Sequence, residues 1–89
     1  MSNVISFENF KDATIEDVIA FALTQEKAPE ILRRECANPE VERVDLVFRS
    51  NVEARRFRPL LWKMSTTFMG DAHISAKYPE VLVIVCDVD

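Results

Sequence analysis

Six consecutive apolar residues, Val81-Leu82-Val83-Ile84-Val85-Cys86, stand directly after Pro79-Glu80. Four of them are β-branched, which favours an extended chain. The run does not alternate, so both of its faces are apolar. Such a segment belongs in the centre of a covered sheet. It is far too short to span a bilayer, which takes about 20 residues as a helix. Any fold open to this chain must give the run a strand on each side.

A second strand is written at Val41 to Arg49. Val44, Leu46 and Phe48 fall on one face, and Asp45, Val47 and Arg49 on the other. Two helices announce themselves by their starts. Thr14 with Asp17 three residues on resembles a capping box, with Asp a weaker third member than Glu, and Ile15, Val18, Ile19, Ala22 and Leu23 follow at helical spacing, which predicts a helix over 15–27. Ser50 with Glu53 forms another, and Phe57, Leu60, Leu61, Met64 and Phe68 share a face, which predicts a helix over 52–69. Pro59 should kink it, because it lacks the N–H for the Arg55 carbonyl. Gly70, the chain's only glycine, fits the position just past its end. Between these, Pro29 suits the first position of a short helix over 30–36, closed by Asn38-Pro39. Val4 to Phe7 is a candidate first strand. Residues 71–78 fit a strand, a helical turn or a loop.

The expected order is β-α-α-β-α-β. It describes a small α/β domain with a three-stranded sheet, four-stranded if 71–78 is extended, covered by helices and holding at least one parallel pair. With 89 residues, one domain spanning 1–89 is expected. A chain of this size buries about 60% of its unfolded surface and gains from outside help. Cys36, Cys86 and His73 are the only Cys and His residues, too few for a four-ligand zinc site. No metal or cofactor is expected. The first residues carry no signal-peptide pattern, and two cysteines suit a reducing compartment, so a cytoplasmic location is expected. A second copy, giving a homodimer, or a protein partner is then the expected source of further burial.

The net charge of −4 is unevenly spread. Residues 1–48 carry a net −5 and residues 64–89 a net −3. Residues 49–63 hold Arg49, Arg55, Arg56, Arg58 and Lys63 against Glu53 alone, a net +4. Arg55 and Arg56 would stand near the start of the 52–69 helix, where the dipole disfavours cations, so helix stability does not account for them.

The segment from Val44 onward resembles the active-site stretch of thioredoxin-fold proteins. There a strand containing Val-Asp-Phe leads into Cys-x-x-Cys at a helix start, with a kinking Pro five residues later. Here Val44-Asp45-Leu46 leads into Asn51-Val52-Glu53-Ala54, and Pro59 stands five residues after Ala54. Lys77-Tyr78-Pro79-Glu80-Val81 and Asp87-Val88-Asp89 resemble the entry to and exit from the family's third strand. The resemblance covers residues 44–89 and implies a β-α-β-α-β topology with a kinked second helix. Asn51 and Ala54 occupy the redox-cysteine positions, so a redox-inactive domain or fragment is implied. The stretch from Pro59 to Pro79 is longer than is usual in the family. Its cis-proline segment and later elements have no counterpart here.

The residues offer little for catalysis. Cys86 lies in an apolar strand and Cys36 at the end of the short helix over 30–36, where buried structural cysteine is the ordinary role. His73 reads as a surface imidazole. Asp87 and Asp89 would place two carboxylates at a strand end, and a solvated acidic tail accounts for them. One glycine excludes a glycine-rich phosphate loop. These features predict a non-enzymatic interaction module that occupies a surface on another macromolecule. Small acidic inhibitors or regulators of viral or mobile-element type, anti-CRISPR proteins among them, have this character. The expected partner-binding residues are Arg49, Arg55, Arg56, Arg58, Trp62 and Lys63, since Arg and Trp are typical anchors. Acidic residues such as Glu16, Glu26, Glu30, Glu40 and Glu42 offer a second surface, one that imitates nucleic-acid phosphates. The alternative is a nucleic-acid binder using the basic helix 52–69. No membrane partner is expected.

Overall fold

The computed structural model describes residues 12–88. The elements run α1 (Ile15–Leu23), β1 (Glu30–Arg34), β2 (Val41–Val47), α2 (Asn51–Phe57), a 3-10 segment (Arg58–Lys63), β3 (Asp71–Ile74) and β4 (Val81–Asp87). The sheet has four strands in the order β1-β2-β4-β3. The apolar run is indeed central: β4 pairs with β2 from Val41↔Asp87 to Val47↔Val81, and with β3 from Asp71↔Val85 to Ile74↔Leu82. All three ladders are antiparallel, so among the described residues the expected parallel pair of strands is not present. The one parallel contact among the described residues is an isolated bridge, Asp12 to Thr67. The candidate strand at Val4 to Phe7 lies outside the described residues.

Both helices pack on one face of the sheet. Ile15, Val18 and Ala22 of α1 and Ala54 and Phe57 of α2 join Leu61 of the 3-10 segment over Val44, Leu46, Leu82 and Ile84. The expected cover of helices is found on that face; among the described residues no helix lies on the outer face. Val83 is buried there all the same, with Asp45 opposite on β2 and His73 opposite on β3.

The 30–36 segment is a strand rather than a helix. Its backbone finds partners from Glu30↔Val47 to Arg34↔Arg43, with the Asn38-Pro39 stretch as the hairpin connection. The hairpin satisfies the backbone groups of this segment with a strand close in sequence, at a small loop-closure cost. Helix α1 keeps its predicted capping box, with the Thr14 side chain accepting from Asp17 N and the Asp17 carboxylate accepting from Thr14 N. It ends at Leu23, short of residue 27. The Thr24 hydroxyl and the Gln25 side-chain amide both donate to the Phe21 carbonyl there.

The predicted long helix divides at Pro59. Ser50 caps α2 by accepting from Glu53 N at 3.3 Å. The helix is over by Phe57, and the chain tightens to a 3-10 segment and turns extended at Met64. The expected kink is instead the end of the α-helix, because proline has no N–H for the next α-helical bond and its ring crowds the preceding turn. Gly70 is no helix cap, and its φ is not positive. It is glycine because a Cβ there would run into the Val85 carbonyl oxygen and stand 3.0 Å from Cys86 Sγ. Residues 71–74 then form β3, which settles the ambiguous stretch as a strand followed by a turn.

Candidate interaction surface

The expected partner-binding residues lie around α2 and the 3-10 segment, and all six are exposed. The structure divides them. Arg55 and Arg58, three apart and so on one side of the helix, line an open cleft of about 530 Å³ with Pro59, His73 and Ile74. Arg56 faces a different cleft, of about 330 Å³, where Lys27, Glu53 and Leu60 also stand. Arg49 follows β2, and Lys63 closes the 3-10 segment.

Arg58 is the most constrained of the set. Its Nε donates to the Ala72 carbonyl at 2.5 Å, and its guanidinium carbon lies 5.3 Å from the centre of the Trp62 ring. Trp62 is half exposed and meets the buried Phe68 edge-on at 5.3 Å. A core aromatic thus props a surface aromatic, and the surface aromatic props an arginine. An immobilised guanidinium loses less rotamer freedom on binding than a free one. On the cleft's far wall, His73 Nδ1 is 2.8 Å from Asp71 Oδ2, which orients the ring.

The dipole argument against Arg55 and Arg56 reverses in the structure. Because α2 stops at Phe57, both occupy its last turn, where cations are favoured. The basic cluster is therefore partly explained by local stability. Its charge is still not consumed internally: none of the ion pairs among the described residues involves Arg49, Arg55, Arg56, Arg58 or Lys63. The acidic residues Glu16, Glu26, Glu30, Glu40 and Glu42 are exposed as well, with Glu16 bound to Arg33.

A second polar cluster, outside the expected partner-binding set, stands on β1 and β2. Asp45, only 4% exposed, accepts from Arg43 Nε at 2.8 Å and from Arg34 Nε at 3.1 Å on the outer face of the sheet. Burial pushes its carboxyl up, but the hydrogen bonds and charges of the two arginines outweigh this and hold it below the ordinary range. Arg43 is held above its ordinary value by the same contact. Arg43 and Asp45 sit two apart in an alternating strand, which is a sequence signal. Arg34 joins them only through the β1–β2 register.

The remaining candidates stay apart. Both cysteines are free, Cys86 buried and Cys36 partly so. Burial first, then the nearby Glu42, Asp87 and Asp17 carboxylates, push the Cys86 thiol up to about 11, so it is protonated at neutral pH. Asp87 is exposed at the end of β4, and Asp89 lies outside the described residues. No group of three or more His, Cys, Asp or Glu among the described residues is arranged to hold a metal ion. No described helix is long and apolar enough to cross a membrane. No protein-family model, curated protein or solved structure matches the chain.

Proposed function

We propose that this chain is a non-catalytic interaction module that presents its basic face, centred on Arg55, Arg58 and Trp62, to a protein partner. The observation that carries this is the Arg58–Trp62–Phe68 stack beside an open cleft. An exposed tryptophan and an anchored arginine side by side are what energetic centres of protein interfaces are made of. Unconsumed positive charge around them would steer an acidic partner surface. The mode of action fits a small inhibitor or regulator of the phage or mobile-element type, which works by covering a functional surface.

Affinity capture with wild type, with Trp62→Ala plus Arg55→Glu, and with Glu40→Lys plus Glu42→Lys tests this reading. A partner held by wild type and by the acidic-face variant, and lost by the basic-face variant, is the expected result. Loss only with the acidic-face variant would move the binding surface and sink the assignment. Nucleic-acid binding ranks second, because α2 has only seven residues and offers under two turns to a groove. Its sign would be retention on duplex DNA that falls steeply with salt and is lost in Arg55→Ala plus Arg56→Ala.

A further inference from the structure

We propose that β1 is the docking edge for a second copy of this chain, pairing antiparallel with its own counterpart and centred on Leu32. Among the described residues the sheet has two edges, β1 and β3. On β3, the Ala72 carbonyl is already occupied by Arg58, and a covered edge is a protected one. On β1, no strand pairs with the outer side among the described residues.

The sequence of β1, Glu30-Ile31-Leu32-Arg33-Arg34, is complementary to itself when reversed. With Leu32 opposite Leu32 of the second copy, Glu30 falls opposite Arg34 at both ends. Directly opposed residues of an antiparallel pair point to the same face, so each Glu30 meets an Arg34. Ile31 falls opposite Arg33, whose guanidinium is engaged by Glu16 and whose stem is free to lie along it. The contact is isologous, as a two-fold dimer requires.

Charge gives the second reason. The outer-face cluster holds two guanidiniums, Arg34 and Arg43, on the single carboxylate of Asp45. Arg34 and Arg43 are directly opposed in the β1–β2 register, so like charges meet there with one counter-ion between them. Glu30 is exposed and has no ion-pair partner among the described residues. In the dimer, the second copy's Glu30 supplies the missing negative charge to Arg34. The two basic clefts, at the β3 side of each sheet, are left free at opposite ends of an eight-stranded sheet, so this contact does not compete with the partner surface proposed above.

Five-residue pairing is a small interface, so the dimer should be weak and visible at micromolar to millimolar concentration. Sedimentation velocity across that range is expected to show wild type passing from monomer to dimer. Glu30→Arg places like charges at both ends and should weaken the dimer roughly tenfold or more. Mixing Glu30→Arg with Arg34→Glu restores opposite charges at both ends, and should restore association in the mixture alone. Amide exchange at low and high concentration should show protection gained within residues 30–34, a readout that needs no variant. Wild type that stays monomeric into the millimolar range would overturn the proposal. So would Glu30→Arg that dimerises like wild type, a folded mixture that stays monomeric, or protection gained at residues 71–74 instead.

Discussion

Asp45 shows how one side chain can be costly or cheap depending on which partner is removed. The carboxylate is buried, while the Arg34 and Arg43 side chains are 52% and 41% exposed. Asp45→Ala leaves two arginines that can turn to water, and should cost about 1–2 kcal/mol. Replacing both arginines by Gln strands a buried carboxylate and should cost about 3–5 kcal/mol. Urea unfolding of the variants checks the order; equal costs would show that Asp45 hydrates freely. The pH dependence has a fixed sign. A carboxyl held low in the folded state contributes stability above its unfolded value, about 3.9, and loses it as pH falls through the lower folded value. Asp45→Ala should flatten that acid limb. Cys86 acts at the other end of the scale. Its thiol is raised to about 11, so its contribution is intact below the unfolded value and is lost as pH rises toward 11. Wild type should lose on the order of 2 kcal/mol between about pH 8.5 and 11 that Cys86→Ala does not lose. The alkaline slopes of the two urea series provide the comparison.

At the scale of elements, short pieces are held by their ends and by the core. Helix α1 has nine residues and α2 has seven, both below the length at which isolated helices persist. The caps at Thr14 and Ser50 fix their starts, and Pro59 fixes the end of α2. That end changes the meaning of Arg55 and Arg56, which complement the C-terminal dipole. Arg55→Glu with Arg56→Glu should therefore cost about 0.3–1 kcal/mol per site while keeping the fold. Circular dichroism melts test this, and an unchanged melting point would mean that the last turn of α2 is too hydrated for the dipole to matter. Strand β1 and its hairpin make the same point from the other side. A segment with a good helix-start proline became a strand because β2 lay within reach of a short turn.

Among the described residues the molecule is one sheet with helices on one side. Its core gathers residues from α1, α2, the 3-10 segment and the inner sheet face. A chain built this way gains from association, and mass action makes that gain measurable. If β1 carries a second copy, the melting midpoint of wild type should rise with protein concentration and that of Glu30→Arg should not. Charge is arranged at the same scale. The basic face around Arg55 and Arg58 stands at the β3 side of the sheet, away from the β1 edge.

The amino-acid sequence by itself determined the central strand, the inner face of Val44, Leu46 and Phe48, the start of each helix and a disturbance at Pro59, though as a kink and not as the end of the helix. These follow from side-chain periodicity and from backbone chemistry that acts over a few residues. Tertiary structure alone decided the all-antiparallel order, the strand at 30–34, the reason for Gly70 and the meeting of Arg34 with Asp45. Each of these depends on which distant segment lies alongside. A backbone segment takes the partner that satisfies its hydrogen bonds at least entropic cost, and a close approach between strands is set by register, which local pattern does not encode.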